Sequence, residues 1–426
     1  MSTIALCTFP ELGHVMPTLR LAQELRSAGH SVVYWTLPDF QRTLEALGYE
    51  TFALLPDRFP AGTLARMVQM PRAEHEALSI EMFMAFQRMI LDDEFDEHLR
   101  VLAPDALLCD ILLPGMVMAA RARNIPGYQV STALPDSWAP GVPPLTTNLP
   151  YGDTPERYMA AEQAWDALRS AIPSELEQES RQLDRQLIDK YGLPADEVEQ
   201  GLFGPSLKTV HALVLCSSAF DFPRPASERR HHIESFALER PPVAFPWGRL
   251  SPDKPLVFCS LGTQSYRIPG ALRFFSEVLA AAASRPDWQL VVALGSRWSA
   301  GDLGAIPDNA VVVPFAPQAQ LLARSSLVIT HAGLGTIKES IFSGVPMLAF
   351  PLLYDQPGNG ARIAYHGLGE VGDFRAVTAP ELVEMADRVL TDPDRPERLA
   401  TMQRSFHELE QRQPGLVFLQ NQLAAR

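Results

Sequence analysis

Two α/β domains, each a doubly wound parallel sheet covered by helices, are the fold class this sequence predicts, and three observations lead there. At 426 residues the chain exceeds one ordinary core, which suggests two units of roughly 200 residues each. Residues 1–50 alternate short apolar runs with amphipathic ones. After a stretch rich in proline and charge near the middle, the same alternation begins again.

TIALCT reads as a strand, PTLRLAQELRSAGH as a helix ended by Gly29, SVVYWT as a second strand, and 39–48 as a second helix. A βαβα order calls for a parallel sheet, because only a crossover helix can return the chain in the same direction. ALLCD (106–110), a helix from about Pro114, and GYQVS (127–131) continue that sheet. Helical stretches between these elements and over 151–200 fall outside the alternation and suit a variable, substrate-facing part. HALVLCS (211–217) restores a strand. DFPRPASERRHHIESFALERPPVAFPWG then marks a linker, and its basic cluster Arg229–His232 reads as solvated chain.

PLVFCS, a loop, a helix over 270–283 and QLVVALG repeat the order of residues 3–36 in architecture, without sequence identity. Further pairs follow through AVVVPF, LVIT and VPMLAF. The expected division is 1–225 for an acceptor-binding domain, 226–248 for the linker, 249–401 for a donor-binding domain and 402–426 for a closing helix.

A net charge of −14 without a concentrated basic patch argues against nucleic-acid or anionic-membrane partners. No uncharged apolar stretch reaches the roughly 20 residues a bilayer span needs. The amino terminus has neither a basic flank nor an uninterrupted apolar run, so a signal peptide or anchor is not expected. Cys7, Cys109, Cys216 and Cys259 each sit in or beside a predicted strand, unpaired in sequence, which fits buried free thiols in a reducing cytoplasm.

The richest stretch is 315–363. The strand LVIT runs into HAGLGT and then a helix, and small residues at such a turn let backbone amides reach an anion at a helix amino terminus. His331, Gly333, Gly335 and Thr336 are the candidate diphosphate cradle. Glu339, one turn on, is placed to accept ribose hydroxyls. Asp355 and Gln356 open the next helix where sugar hydroxyls would sit, against the plainer reading of a helix cap.

The segment resembles the donor-binding signature of the nucleotide-sugar glycosyltransferases that include plant, animal and bacterial UDP-glycosyltransferases. That pattern runs Trp-x-Pro-Gln, His-x-Gly-x-x-Ser/Thr, Glu, Gly-Val-Pro and Asp-Gln, and here Phe315 takes the place of the Trp. The resemblance implies GT-B architecture, two Rossmann-like domains facing each other across a cleft. It also implies that Phe315 stacks on the base, Gln318 holds the nucleoside, His331 and Thr336 bind the diphosphate, Glu339 the ribose, and Asp355 and Gln356 the hexose. SLGT, with Ser260, Gly262 and Thr263, resembles the family's first phosphate-facing loop. DQPGNGARIAYHGLG is similar to bacterial zeaxanthin-type glucosyltransferases, which suggests a lipophilic acceptor.

Transfer to a hydroxyl needs a base and a way to hold the departing charge. His14, in FPELGHVMP, follows a strand and precedes a helix with Pro17 in its first turn, and a helix amino terminus disfavours the imidazolium. Asp110 ends a strand of the same sheet and could orient the ring. The family carries a Gly-His-x-x-Pro element and a later Asp in these two roles. The expectation is an inverting, metal-independent hexosyltransferase that uses a UDP-sugar, such as UDP-glucose, as cosubstrate and needs no other cofactor. Met82, Phe83 and Phe86, from a methionine- and phenylalanine-rich run over 62–90, are candidate acceptor contacts, with core packing the default for most of that run. A nucleotide-sugar epimerase or hydrolase, or a non-catalytic sugar-nucleotide-binding subunit, are the competing readings.

Overall fold

The computed structural model describes residues 1–171, 174–194, 196–201, 204–233, 243–262 and 265–425. In the first half lie β1 (Thr3–Cys7), β2 (Ser31–Thr36), β3 (Glu50–Ala53), β4 (Ala106–Asp110), β5 (Gly127–Ser131), β6 (Val198–Gly201), β7 (Gly204–Leu207), β8 (Ala212–Val214) and β9 (Arg230–His232). In the second lie β10 (Leu256–Ser260), β11 (Gln289–Ala293), β12 (Ala310–Val313), β13 (Leu327–Thr330), β14 (Met347–Ala349) and β15 (Gly369–Val371).

The first sheet has seven strands in the order β3-β2-β1-β4-β5-β8-β9, and the second six in the order β12-β11-β10-β13-β14-β15. Every pairing in both is parallel, and among the described residues β6 and β7 pair antiparallel apart from them. Helices on both faces make the strand interiors apolar at successive positions. In β1, Ile4 and Leu6 point into one cluster while Ala5 and Cys7 point into the opposite one. β10 does the same, with Val257 and Cys259 on one face and Leu256 and Phe258 on the other. The second of these clusters also takes in Leu134, Leu145, Val214 and Phe220, so one core is shared between the halves.

In each sheet the strand order reverses at one point, between β1 and β4 and between β10 and β13. Cys7 lies opposite Cys109 there, and Ser260 opposite Thr330. Ligands of open α/β sheets bind in the crevice beyond the strand ends at such reversals. That rule directs attention to the loops after residues 7, 110, 260 and 330.

Two expectations change. The cluster read as solvated linker instead supplies β9, which pairs with β8 through Ala212 and Arg230 and is half-buried. His231 there stacks on His211 and lies 4.1 Å from the Phe418 ring, so a face contributed by the far end of the chain makes it a strand. The closing segment is two helices, Arg395–Arg412 and Pro414–Ala424, broken at Gln413 with φ of 46°. Pro414 lacks the amide to continue the first and opens the second. The second packs on the first half, where any β-carbon at Gly415 would lie 2.8 Å from Ile233.

All four cysteines are buried and lie outside any disulfide. Among the described residues no helix is long and apolar enough to cross a membrane, and no cluster of acidic, histidine or cysteine side chains could hold a metal.

Candidate active site

His14 and Asp110 come from adjacent strand ends. The loop after β1 turns into a helical turn, Leu12–Val15, that carries His14, and Asp110 is the last residue of β4. His14 Nδ1 lies 2.8 Å from Asp110 Oδ2, the aspartate being 2% exposed and the histidine 21%. The same carboxylate accepts from the Phe9 amide at 3.3 Å and the Leu112 amide at 2.9 Å, which fixes its plane. Thr132 Oγ1, just beyond β5, is 3.3 Å from His14 Nδ1. With Nδ1 turned to the acid, Nε2 is the nitrogen left for a substrate proton.

The neutral ring expected from the helix amino terminus is not what the surroundings produce. Burial pulls the His14 imidazole down, but the charge and hydrogen bond of Asp110, with Glu11 and Asp355 adding, outweigh it and raise the pKa to about 9. A helix end carries about half a charge spread over a turn, whereas Asp110 is a full charge in contact.

On the facing side, β13 delivers His331 into the turn before the Leu334–Ser343 helix. Its ring lies between two glycines. A β-carbon on Gly333 would lie 2.4 Å from Nε2 of His331, and one on Gly262 2.5 Å from Cε1. Only glycine allows this approach. Buried Ala332 between them has φ of 65°, a conformation residues with a β-carbon rarely adopt and one often kept at ligand-binding turns. Burial, offset in part by the Ser260 carbonyl, lowers the His331 pKa to about 4. The ring is therefore neutral and can serve an anion as a hydrogen-bond donor, not as a cation.

Gln318 Nε2 donates to Glu339 Oε2 at 2.7 Å and to Thr336 Oγ1 at 3.3 Å, so the residues expected at the nucleoside, the ribose and the diphosphate meet. Ser260 Oγ accepts from the Gly262 amide at 3.2 Å at the end of β10. Thr263 lies outside the described residues. Phe315 is 56% exposed, leaving its ring face open, and nothing stands within 4 Å of where a Gly335 β-carbon would be.

Asp355 makes no side-chain cap bond to its own helix, Gln356–Tyr365. Its Oδ2 accepts from Asn359 Nδ2 at 2.9 Å, and Asn359 also donates to the Ala332 carbonyl at 3.1 Å. Burial raises the Asp355 carboxyl, while Asn359 and His14 lower it, so the acid and the His14 imidazole influence each other across the cleft. Gln356 is less free than expected: its Oε1 accepts the Leu352 and Leu353 amides, both at 3.0 Å, and shapes the loop before the helix.

The acceptor candidates need correction. Met82 and Phe86 are 3% and 0% exposed within the core of the first half, and Phe83 is half-buried. Their helix, Arg72–Leu91, turns Met82 and Phe86 into the core, so these two line no open wall, while Phe83 stays outside that cluster. The same stretch instead reaches a cavity of about 290 Å³ between the halves through Met70 and His75, which face Tyr266, Ile268 and Trp298. Thr132, Asn359 and this cavity were missed from sequence. The i, i+4 spacing of Asp355 and Asn359 was the one available signal.

The chain is 29% identical to zeaxanthin glucosyltransferase of Pantoea ananas over 419 residues, covering 95% of this chain and 92% of that protein. Residues 213–412 match the family described as UDP-glucoronosyl and UDP-glucosyl transferase. Over those residues the chain carries a domain of that family, and the enzyme is a glycosyltransferase. This glycosyltransferase is also 28% identical to demethyllactenocin mycarosyltransferase of Streptomyces fradiae over 408 residues, covering 92% and 80% of the two chains. Its fold is that of the kitacinnamycin glycosyltransferase, with a TM-score of 0.74 at 24% identity over 99% of this chain and 98% of that one. The calicheamicin glycosyltransferase CalG4 aligns with a TM-score of 0.70 at 21% identity, over 100% and 98%. The expected GT-B architecture is thus the architecture of this glycosyltransferase.

Proposed function

We propose that the enzyme transfers a hexose, glucose in the first instance, from a UDP-sugar to a hydroxyl of a small lipophilic acceptor with inversion at the anomeric carbon. The 1–225 region takes the acceptor, 249–401 the donor, and 402–426 ties the second to the first. His14 Nε2 removes the hydroxyl proton as the oxygen attacks from the face opposite the diphosphate, and the Asp110 carboxylate stabilises the imidazolium that forms. His331, Thr336 and the amino terminus of the Leu334–Ser343 helix hold the charge left on UDP. Gln318 and Glu339 take the nucleoside and Asp355 the hexose. The apolar side chains of Met70 and Ile268 at the interdomain cavity suit an apolar acceptor, as does the likeness to a protein named for zeaxanthin.

The observation that carries this reading is the mutual influence of His14 and Asp355. A base from one sheet and a sugar-side acid from the other feel each other's charge, which supports their acting on one substrate. The test is a mass-spectrometric screen of UDP- and TDP-sugars against hydroxylated apolar molecules, with wild type and His14→Ala in parallel. Glycoside formed by wild type and lost in His14→Ala supports transfer. Donor consumption without acceptor, unchanged in His14→Ala, would establish a hydrolase or epimerase instead.

A further inference from the structure

Arg362 is fully buried on the Gln356–Tyr365 helix, and the mechanism above gives it no task. Its Nε donates to Asp221 Oδ1 at 2.8 Å and its Nη2 lies 2.7 Å from the same oxygen. Nη1 donates to the Gly358 carbonyl at 2.9 Å, and the guanidinium sits 4.1 Å from the centre of the Phe222 ring. Asp221 follows β8, so this is a buried ion pair between the donor helix and the other half. Its Oδ2 accepts from Arg224 Nε at 2.8 Å, and Arg224 in turn donates to the carbonyls of Pro135 and Ser137 at 2.6 and 2.7 Å.

The chain from Pro135 leads to Leu145, and there the donor helix is gripped again. The Gly358 amide donates to the Leu145 carbonyl at 2.8 Å, and a β-carbon on Gly358 would lie 2.7 Å from the Leu145 backbone. Asp136 Oδ1 accepts the Leu145 amide at 3.1 Å and holds that segment in place. His366, just past the same helix, meets the Phe220 carbonyl at 3.0 Å. The first turn of this helix presents Asp355, and the segment it rests on begins at Thr132, the residue beside His14.

A buried ion pair adds little net stability, because desolvation of both charges offsets their attraction, yet it allows few geometries. The geometry points to Asp221 and Arg362 as positioning residues: the pair fixes the register of the Gln356–Tyr365 helix against 132–145, and so aims Asp355 at the hexose held before His14. This rests on the reading of Asp355 as the hexose-side group. A register error of about 1 Å at a reacting centre can cost about 10²-fold in rate, whereas the UDP-side residues Gln318, Thr336 and Glu339 belong to two other helices and would be untouched.

The variants are Arg362→Gln, Asp221→Asn and Arg362→Lys, with Gly358→Ala, which shifts the same register by a methyl group and leaves every charge in place. UDP affinity is read by calorimetry, and turnover with the preferred UDP-hexose and with its C4 epimer. Expected are UDP affinity within about 3-fold of wild type, kcat/KM for the preferred sugar down about 10²-fold, and the preference over the epimer down about 10-fold, with Arg362→Lys recovering part of each. Parallel loss of UDP affinity and turnover, or an unchanged sugar preference, would overturn the proposal. If the Arg362 and Asp221 variants do not fold, Gly358→Ala decides by the same readings. Asp355→Ala separates the two claims: an unaltered sugar preference there defeats the hexose reading itself. A lost preference there, with an intact one in Gly358→Ala and Arg362→Gln, defeats only the positioning.

Discussion

Two half-buried imidazoles face the cleft, each just beyond a strand that borders its sheet's reversal, and their surroundings drive them in opposite directions. His14 touches a carboxylate that itself accepts two backbone amides, and its pKa rises to about 9. His331 sits between glycine backbones, where burial outweighs the Ser260 backbone, and its pKa falls to about 4. Burial works downward on both. The difference is one aspartate, and it separates a proton acceptor from a neutral donor to an anion.

The largest effect that could break this comparison is at the base. His14→Ala should lower kcat by about 10³-fold, measured as UDP release at saturating donor, while calorimetric UDP affinity stays near wild type. Equal loss of both would mean that His14 binds rather than reacts. At the other ring the expected effect is reversed and smaller. His331→Ala should weaken UDP by about 10- to 100-fold, the loss of a hydrogen bond to a charged group, and His331→Asn should recover part of it because a neutral donor suffices. No recovery by Asn would argue that a cation had been lost.

The pH profile sharpens the contrast. His14 acts only without its proton and its pKa is raised, so kcat/KM should climb with pH until about 9. Asp110→Asn removes the charge that raises it and should move that limb to lower pH, with a lower plateau because the imidazolium loses its counter-ion. A limb that stays put in Asp110→Asn would assign it to another group. Smallest of all, Thr132→Val should reduce kcat by about 3- to 10-fold, one neutral hydrogen bond's worth. A fall as large as that of Asp110→Asn would make the hydroxyl a partner of equal rank.

Legibility from sequence followed contiguity. The strand, glycine-rich turn and helix around His331 were readable because they lie within a few consecutive positions, where local geometry fixes what backbone amides can reach. The nearness of Thr336 and Glu339 was readable for the same reason, as they share a helix face and both meet Gln318. The acceptor side was not. Met82 and Phe86 are suited to an apolar wall and equally to a core, and only the packing around their helix assigned them to the latter. Arg229–His232 looked like solvated linker until Phe418, nearly two hundred residues on, supplied its apolar cover.

What the sequence determined by itself was the periodicity of strand and helix, hence two parallel sheets, and the residues delivered to each strand end, because both follow from neighbours along the chain. The tertiary structure alone decided the charge of His14, set by Asp110 96 positions away, and the joining of the halves through Asp221 and Arg362, 141 positions apart. Those outcomes depend on distance through space and on the exclusion of water between groups, and neither quantity exists until the chain has closed on itself.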